Sequence, residues 1–321
     1  MLKDDRFQGL FVPHVTPFTP SGELDLKSLE RLARHLIACK GVAGLVSCAR
    51  IGEGPVLRLE EKREVYKVAG DIAREANKIH IAAVTPQSTA EAIAVMRELE
   101  GLPVDAAMIF PPLLFAWGKV GGELRCRFFE EVAVASNLPI VLFQVPVASY
   151  AYDPETVCRI GRSEKVVAYK EASFNINLFT ETMRQLEAER SEMAVLTGND
   201  RFVAESYMLG ARGALIGVAN LATAKWGEID RAGRAEDYRE AMRIQRELGE
   251  LKELVFSEPI VEAVARIKII LRHEGLIASA AVRRPQLGVT EEEEKRLVAS
   301  YGRMLEKVSA SERGDHGRGA L

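Results

Sequence analysis

Short apolar runs alternate with longer amphipathic segments from residue 10 to about residue 225. The runs cover residues 10–15, 44–48, 80–84, 106–110, 140–143, 166–169, 194–196 and 214–218. Several are apolar throughout rather than at every second position, the pattern of strands buried on both faces of a parallel sheet. Between them the apolar positions recur at helical spacing: Leu26, Leu29, Leu32, Ala33 and Leu36 in one segment, Val65, Val68, Ile72 and Ala73 in another. Each set falls on one side of a 3.6-residue turn. Helix starts are marked as well. Ser88-Thr89-Ala90-Glu91 reads as a capping box, and Asp153-Pro154-Glu155 places proline in a first turn beside acid.

Eight strands with helical crossovers in a little over 200 residues predict a (β/α)8 barrel, an α/β fold of the TIM-barrel type. A doubly wound nucleotide-binding sheet would carry a glycine-rich turn after its first strand. Here that turn reads Thr16-Pro17-Phe18-Thr19-Pro20-Ser21-Gly22, with neither dinucleotide nor P-loop spacing. Beyond the barrel, assigned to residues 1–225, the strand-like runs stop. Residues 226–308 read as a C-terminal extension of three helices, over 235–256, 259–273 and 290–308. Residues 309–321 are small, polar and glycine-rich, and are expected to be disordered.

Composition narrows the setting. The formal charge of −3 gives no electrostatic reason for a nucleic acid or an anionic membrane as partner. Basic residues interleave with acidic ones, as in Glu60-Glu61-Lys62-Arg63-Glu64, the mark of solvated helix faces. Cys39, Cys48, Cys126 and Cys158 are far apart and form no CxxC pair, which argues against a zinc site and a disulfide scaffold. No signal-peptide pattern and no membrane-length apolar stretch is present, so a cytoplasmic protein is expected.

In a parallel barrel, catalytic groups project from the C-terminal ends of strands. Polar residues closing an apolar run are His14, Cys48 with Arg50 and Glu53, Gln144, Lys170 with Glu171, Thr197 with Asn199 and Asp200, and Asn220. Lys170 ends the uncharged run Val166-Val167-Ala168-Tyr169. A lysine carried to a barrel mouth by a buried strand loses hydration, which frees the neutral amine as a nucleophile toward a ketone. The alternative for such a lysine is an ion pair with Glu171 or a neighbouring strand's acid. His14 is read as a hydrogen-bonded strand-end residue or an acid/base, and Glu53 as a carboxylate capping a tight loop. Cys48 reads as a buried filler, and Asn199-Asp200 as the N-cap of the following helix.

Several motifs together resemble the dihydrodipicolinate synthase / N-acetylneuraminate lyase family. They are Val12-Pro13-His14-Val15-Thr16-Pro17-Phe18, Gly44-Leu45-Val46 leading to Gly52-Glu53, Pro111-Pro112, and Pro139-Ile140-Val141-Leu142 through Val145-Pro146. Lys170-Glu171-Ala172-Ser173, Leu196-Thr197-Gly198-Asn199-Asp200, Gly213 to Ala219-Asn220, and Val282-Arg283-Arg284-Pro285 complete the set. The likeness spans roughly residues 8–305. It implies a barrel with a C-terminal helical extension, a homotetramer or homodimer, and class I Schiff-base chemistry without a metal or organic cofactor. Lys170 falls on the imine-forming lysine, and Gly198 and Leu215 fall on pocket-lining positions.

The departures from the family pattern lie in its proton relay. The usual Gly-Thr-Thr-Gly-Glu loop reads Ala49-Arg50-Ile51-Gly52-Glu53, so both threonine hydroxyls are missing. The acid/base tyrosine is Phe143, and the tyrosine lent across the subunit interface falls at Leu114. The arginine that grips the aldehyde substrate in lysine-pathway members falls near Ala148. Arg50, a permanent cation that cannot be a base, is read either as a clamp for an oxo-acid carboxylate together with the backbone around Ile51, or as a surface arginine paired with Glu53. His14, Tyr150 and Tyr152 are the candidate replacement acids or bases. The function expected is therefore a carbon–carbon or carbon–oxygen lyase, aldolase or dehydratase, on pyruvate or a 2-keto-3-deoxy acid. The alternatives are the lysine-pathway synthase, 4-hydroxy-tetrahydrodipicolinate synthase, and a degenerate barrel with a binding or regulatory role. Leu113, Leu114, Phe115, Trp117 and Phe143 point to a mouth too apolar for a heavily hydroxylated substrate.

Overall fold

The computed structural model describes residues 2–118, 120–147 and 150–316. Eight parallel strands close into one barrel in chain order. They are β1 (Gly9–Pro13), β2 (Val42–Ser47), β3 (Ile79–Val84), β4 (Ala106–Ile109), β5 (Ile140–Gln144), β6 (Val166–Glu171), β7 (Ala194–Thr197) and β8 (Gly213–Leu215). Closure is direct, with Gly9, Leu10 and Phe11 of β1 paired to Gly213, Ala214 and Leu215 of β8. The crossovers are α1 (Leu26–Ala38), α2 (Leu59–Glu75), α3 (Thr89–Leu99), α4 (Gly122–Ala135), α5 (Pro154–Gly161), α6 (Ile176–Ala188), α7 (Val203–Met208) and α8 (Thr223–Arg234).

Strand alternation divides the core in two. Phe11, Val46, Ile81, Met108, Val141, Phe143, Ala168, Leu196 and Leu215 fill the barrel interior. Their neighbours, including Leu10, Val12, Leu45, Leu142 and Tyr169, face the helix layer. Both faces are dry, which is why the runs are solidly apolar. The predicted helix starts are present. Ser88 accepts from the Glu91 N–H at 3.1 Å, although the Glu91 carboxylate reaches Gln87 N rather than Ser88 N. Asp153 accepts from Thr156 N at 2.8 Å.

After the barrel come α9 (Tyr238–Glu247), α10 (Gly249–Phe256), α11 (Ala263–His273) and α12 (Glu291–His316). Three details differ from the sequence expectation. The eighth crossover helix, α8, straddles residue 225, where the barrel was expected to end. The helix expected over 235–256 is broken at Leu248. The last helix runs on to His316, so the segment expected to be disordered from residue 309 is helical to that point, and residues 317–321 lie outside the described residues. No helix among the described residues is long and apolar enough to cross a membrane. All four cysteines are free.

Candidate active site

Lys170 lies in β6 with its backbone paired to Phe143 of β5 and Leu196 of β7. Ala168, two positions earlier, belongs to the interior cluster, so period-two alternation aims Lys170 into the barrel near its C-terminal end. There it lines a cavity of about 60 Å³ with Pro13, Arg50, Ile51, Phe143, Gly198, Asp200 and Leu215. Phe256 and Ile260 of the C-terminal segment close the same cavity. The Nζ atom sits 4.3 Å from the centre of the Phe143 ring. Among the described residues it has no hydrogen-bond or ion-pair partner. Burial brings its pKa down to about 8, against the opposing pull of Asp200 and with Arg50 adding to the fall. An appreciable fraction is therefore neutral amine near pH 7, as a nucleophile requires.

Gly198 is small because Lys170 passes beside it. A Cβ there would stand 2.6 Å from Ala172 Cβ and 2.9 Å from Lys170 Cε. Leu215 and Phe143 supply apolar walls, and the Phe143 ring meets Phe110 edge-on at 4.6 Å. On the β2–α2 loop, Ile51 faces the cavity and Arg50 stands at its rim, where Nη2 donates to Ile260 O at 3.3 Å. The loop's own turns use the N–H groups of Glu53 and Gly54. Those of Ile51 and Gly52 have no intramolecular acceptor among the described residues. Glu53, with a left-handed φ of 54°, is buried. Its carboxylate accepts Arg283 N–H at 2.9 Å and forms a fully buried ion pair with Lys268 of α11. Glu53 thus anchors the loop to the C-terminal helices, and its contacts are to side chain and chain segments far away in sequence.

The candidate replacement acids lie elsewhere. His14 points out of the barrel: Nδ1 meets Val15 O at 3.0 Å and Nε2 meets Ser47 Oγ at 2.7 Å. Burial lowers its pKa to about 4. Ser47 Oγ also meets His80 Nε2 at 2.8 Å, so the three residues tie β1, β2 and β3 together under the helices. Tyr152 packs against Phe129 and Arg125 in the outer layer, with its hydroxyl lacking a partner among the described residues and its pKa raised by burial. Tyr150 packs against the same outer core and is absent from the cavity wall. Ala148, the position matched to the aldehyde-gripping arginine, lies outside the described residues. Cys48 is a buried filler whose thiol burial pushes up to about 12.

Asn199 and Asp200 do not cap the following helix; the N-cap of α7 is Phe202. Asn199 instead accepts Phe174 N–H at 2.8 Å and donates to Glu171 Oε2 at 2.6 Å. Glu171 is thereby occupied on the far side of the strand from the Lys170 amine. Asp200 turns into the cavity, where Oδ1 accepts Val218 N–H at 2.9 Å. Burial raises its pKa to about 6, although the Val218 N–H and the Lys170 charge both pull it down. Its place at the end of β7 was the one available sequence signal.

A family model described as the dihydrodipicolinate synthetase family matches residues 6–302. The chain belongs to that family. A 4-hydroxy-tetrahydrodipicolinate synthase of Moorella thermoacetica is 34% identical over 291 residues, covering 89% of this chain and 94% of its own. The enzyme of the same name from Enterococcus faecalis is 30% identical over 286 residues, covering 88% and 94%. Among solved structures, a dihydrodipicolinate synthase of Acinetobacter baumannii in complex with pyruvate superposes with a TM-score of 0.82 at 27% identity. That match covers 92% of this chain and 98% of the other. As a dihydrodipicolinate synthetase family member, the chain carries phenylalanine, leucine and arginine where the resemblance leads one to expect tyrosine, tyrosine and threonine. Asp200 is the one carboxylate on its cavity wall among the described residues.

Proposed function

We propose that this chain is a Schiff-base-forming lyase of the class I aldolase type, with Lys170 adding to the ketone of a small 2-oxo acid. The supporting observation is a buried lysine with a lowered pKa, unpaired and opening into a cavity at the C-terminal end of the barrel. The neutral amine attacks the oxo carbon, water leaves, and the resulting iminium accepts the electron pair from the neighbouring bond. That iminium is the electron sink, so the chemistry calls on neither metal nor organic cofactor. The N–H groups of Ile51 and Gly52 and the Arg50 guanidinium are suited to the substrate carboxylate, which needs charge-assisted donors in a dry site. Gly198, Leu215 and Phe143 shape the floor.

Pyruvate is the first substrate to test, because the Acinetobacter baumannii relative was solved with it. Borohydride reduction in its presence is expected to add the mass of the reduced pyruvate adduct to Lys170, and Lys170→Ala to abolish the labelling. An unmodified lysine across a panel of 2-oxo acids would sink the proposal. A narrower reading, 4-hydroxy-tetrahydrodipicolinate synthase itself, is favoured by the 34% identical relative of that name. The apolar residues at the tyrosine positions weigh against it. A coupled assay with pyruvate and aspartate semialdehyde separates the two. We further propose that the chain works in the cytoplasm, consistent with four free cysteines, and as a homodimer or homotetramer.

A further inference from the structure

Imine formation needs a proton carrier, and the residues expected to supply one do not reach the amine. His14 and Tyr152 face the helix layer, Phe143 has no proton to give, and Arg50 cannot act as a base. The cavity that holds Lys170 nevertheless contains one carboxylate among the described residues.

We propose that Asp200 is the proton carrier of this site, taking the place of a hydroxyl relay. This rests on Lys170 being the imine-forming amine. Asp200 sits on the loop after β7, adjacent to the strand that carries Lys170, and both side chains line the same wall. One carboxylate oxygen is fixed by Val218 N–H at 2.9 Å, which orients the group and leaves the other oxygen for exchange. The charged groups facing it are Lys170 from β6 and Arg50 from the β2–α2 loop; from the β8 side it meets backbone N–H groups. Its proton affinity, raised to about 6 by burial, lies below that of Lys170 at about 8, so moving a proton from the ammonium to the carboxylate is uphill by about 100-fold and the return of that proton is downhill.

The proton count closes. The Lys170 ammonium gives one proton to the Asp200 carboxylate through an intervening water, since the two side chains line one cavity without touching, and becomes the free amine. The amine adds to the oxo carbon, and the nitrogen's surplus proton moves to the new alkoxide, giving a neutral carbinolamine. Asp200 then returns its proton to the carbinolamine hydroxyl, the C–O bond breaks, and water leaves as the nitrogen lone pair forms the iminium. The enzyme gains an iminium and loses one water, with no proton left over. In the next step the Asp200 carboxylate is again ionised and can accept a proton from the carbon beside the iminium.

Asp200→Asn keeps the shape and the oxygen that accepts Val218 N–H, but cannot carry the proton. The test is the rate at which the full-length protein forms a borohydride-trappable adduct with pyruvate, measured from pH 5 to pH 9. The wild-type rate is expected to fall below about pH 6, as Asp200 takes up a proton and can no longer accept one from the ammonium. Asp200→Asn is expected to trap the same adduct about 10²–10⁴-fold more slowly, with a rate that already falls below about pH 8, where Lys170 itself takes up its proton and no carboxylate removes it. If the variant fails to fold by circular dichroism, Asp200→Ala with added formate replaces it, and recovery of rate with formate supports the proposal. An unchanged rate and pH profile in either variant overturns it. A wild-type protein that traps nothing fails the Lys170 reading instead, and Lys170→Ala distinguishes the cases.

Discussion

Gly198 decides how far Lys170 can reach, because its missing Cβ leaves the path that the lysine's Cε occupies. Gly198→Ala would bring a methyl to 2.9 Å from Cε and 2.6 Å from Ala172 Cβ, closer than real carbon contacts allow. The lysine must then bend away, and a displacement of about 1 Å at a reacting group costs on the order of 10²-fold in rate. Adduct formation in the borohydride assay is expected to drop by that factor while far-ultraviolet circular dichroism stays native; an unimpaired rate would mean the amine takes another route. Lys170 stood out in the sequence as a charge closing a solidly apolar strand, but its position alone left an ion pair equally open, and it was the family resemblance that singled it out as the imine-forming lysine. Its outward neighbours were less legible. Pro13 lines the cavity, and alternation from Pro13 sends His14 to the other face, an inference that requires the strand's end to be known within one residue. Asp200 was read as a cap because Asn-Asp before a helix is capping chemistry. The chain uses it across strands instead, toward Val218, and local spacing carries no trace of such a pairing.

At the scale of elements, the β2–α2 loop that lines the cavity is held from behind by the C-terminal helices. Glu53 and Lys268 are both fully buried, and Lys268 also donates to Ala281 O at 2.8 Å and stacks 4.2 Å from the Phe18 ring. Arg283 joins the same cluster, with both Nη atoms on Glu61 at 2.7 and 2.6 Å. Removing one partner of a buried pair leaves the other charge without compensation, a loss of about 3–5 kcal/mol. Lys268→Met is expected to lower the urea-unfolding free energy by that amount, and Glu53→Gln combined with it to restore most of the loss. Equal stability for the single variant would show that the pair does not hold the loop. A second device joins β1, β2 and β3. His80 is buried with its Nδ1 on Pro103 O at 2.8 Å, and burial lowers its pKa to about 4. The unfolded chain, with an ordinary histidine, takes up a proton below about pH 6.5 that the folded protein refuses. Stability from this residue is therefore complete above about pH 6.5 and is lost as pH falls toward 4. Between pH 7 and pH 5 the wild type is expected to lose about 2 kcal/mol more than His80→Gln, with His14 and Asp200 contributing to both. Parallel losses in urea titrations would contradict this. Strand positions were readable because strands dry on both faces cannot hide. The break between α9 and α10 was not, because Leu248 at φ −85° and ψ 3° is near-helical and buried, so the apolar period runs through it.

The whole molecule follows from the closed sheet. Once β1 pairs with β8, every strand's C-terminal end opens on one face, and the residues scattered from Arg50 to Ile260 become one wall. Alternating strand and helix patterns were enough to predict that closure, and the glycine-poor first turn excluded its main competitor. What the pattern could not supply is the state of the outer surface. Leu113, Leu114 and Trp117, on the turn after β4, are 52%, 64% and 83% exposed, and Val147 on the next loop is 47% exposed. A run of large apolar side chains left open to water is costly for a monomer and marks an association surface. The family resemblance places the subunit contact at Leu114, so a second copy of this chain is the occupant we propose. Leu114→Asp with Trp117→Asp puts two carboxylates where that contact would be dry. Sedimentation of the wild type is expected to give a dimer or tetramer, and the double variant a smaller species with the same circular dichroism. Lys170 and Asp200 come from one chain, so the smaller species should still trap pyruvate. Retained assembly in the double variant would move the interface elsewhere, whereas lost assembly together with lost trapping would mean that the neighbour's Leu114 region completes the mouth of the site.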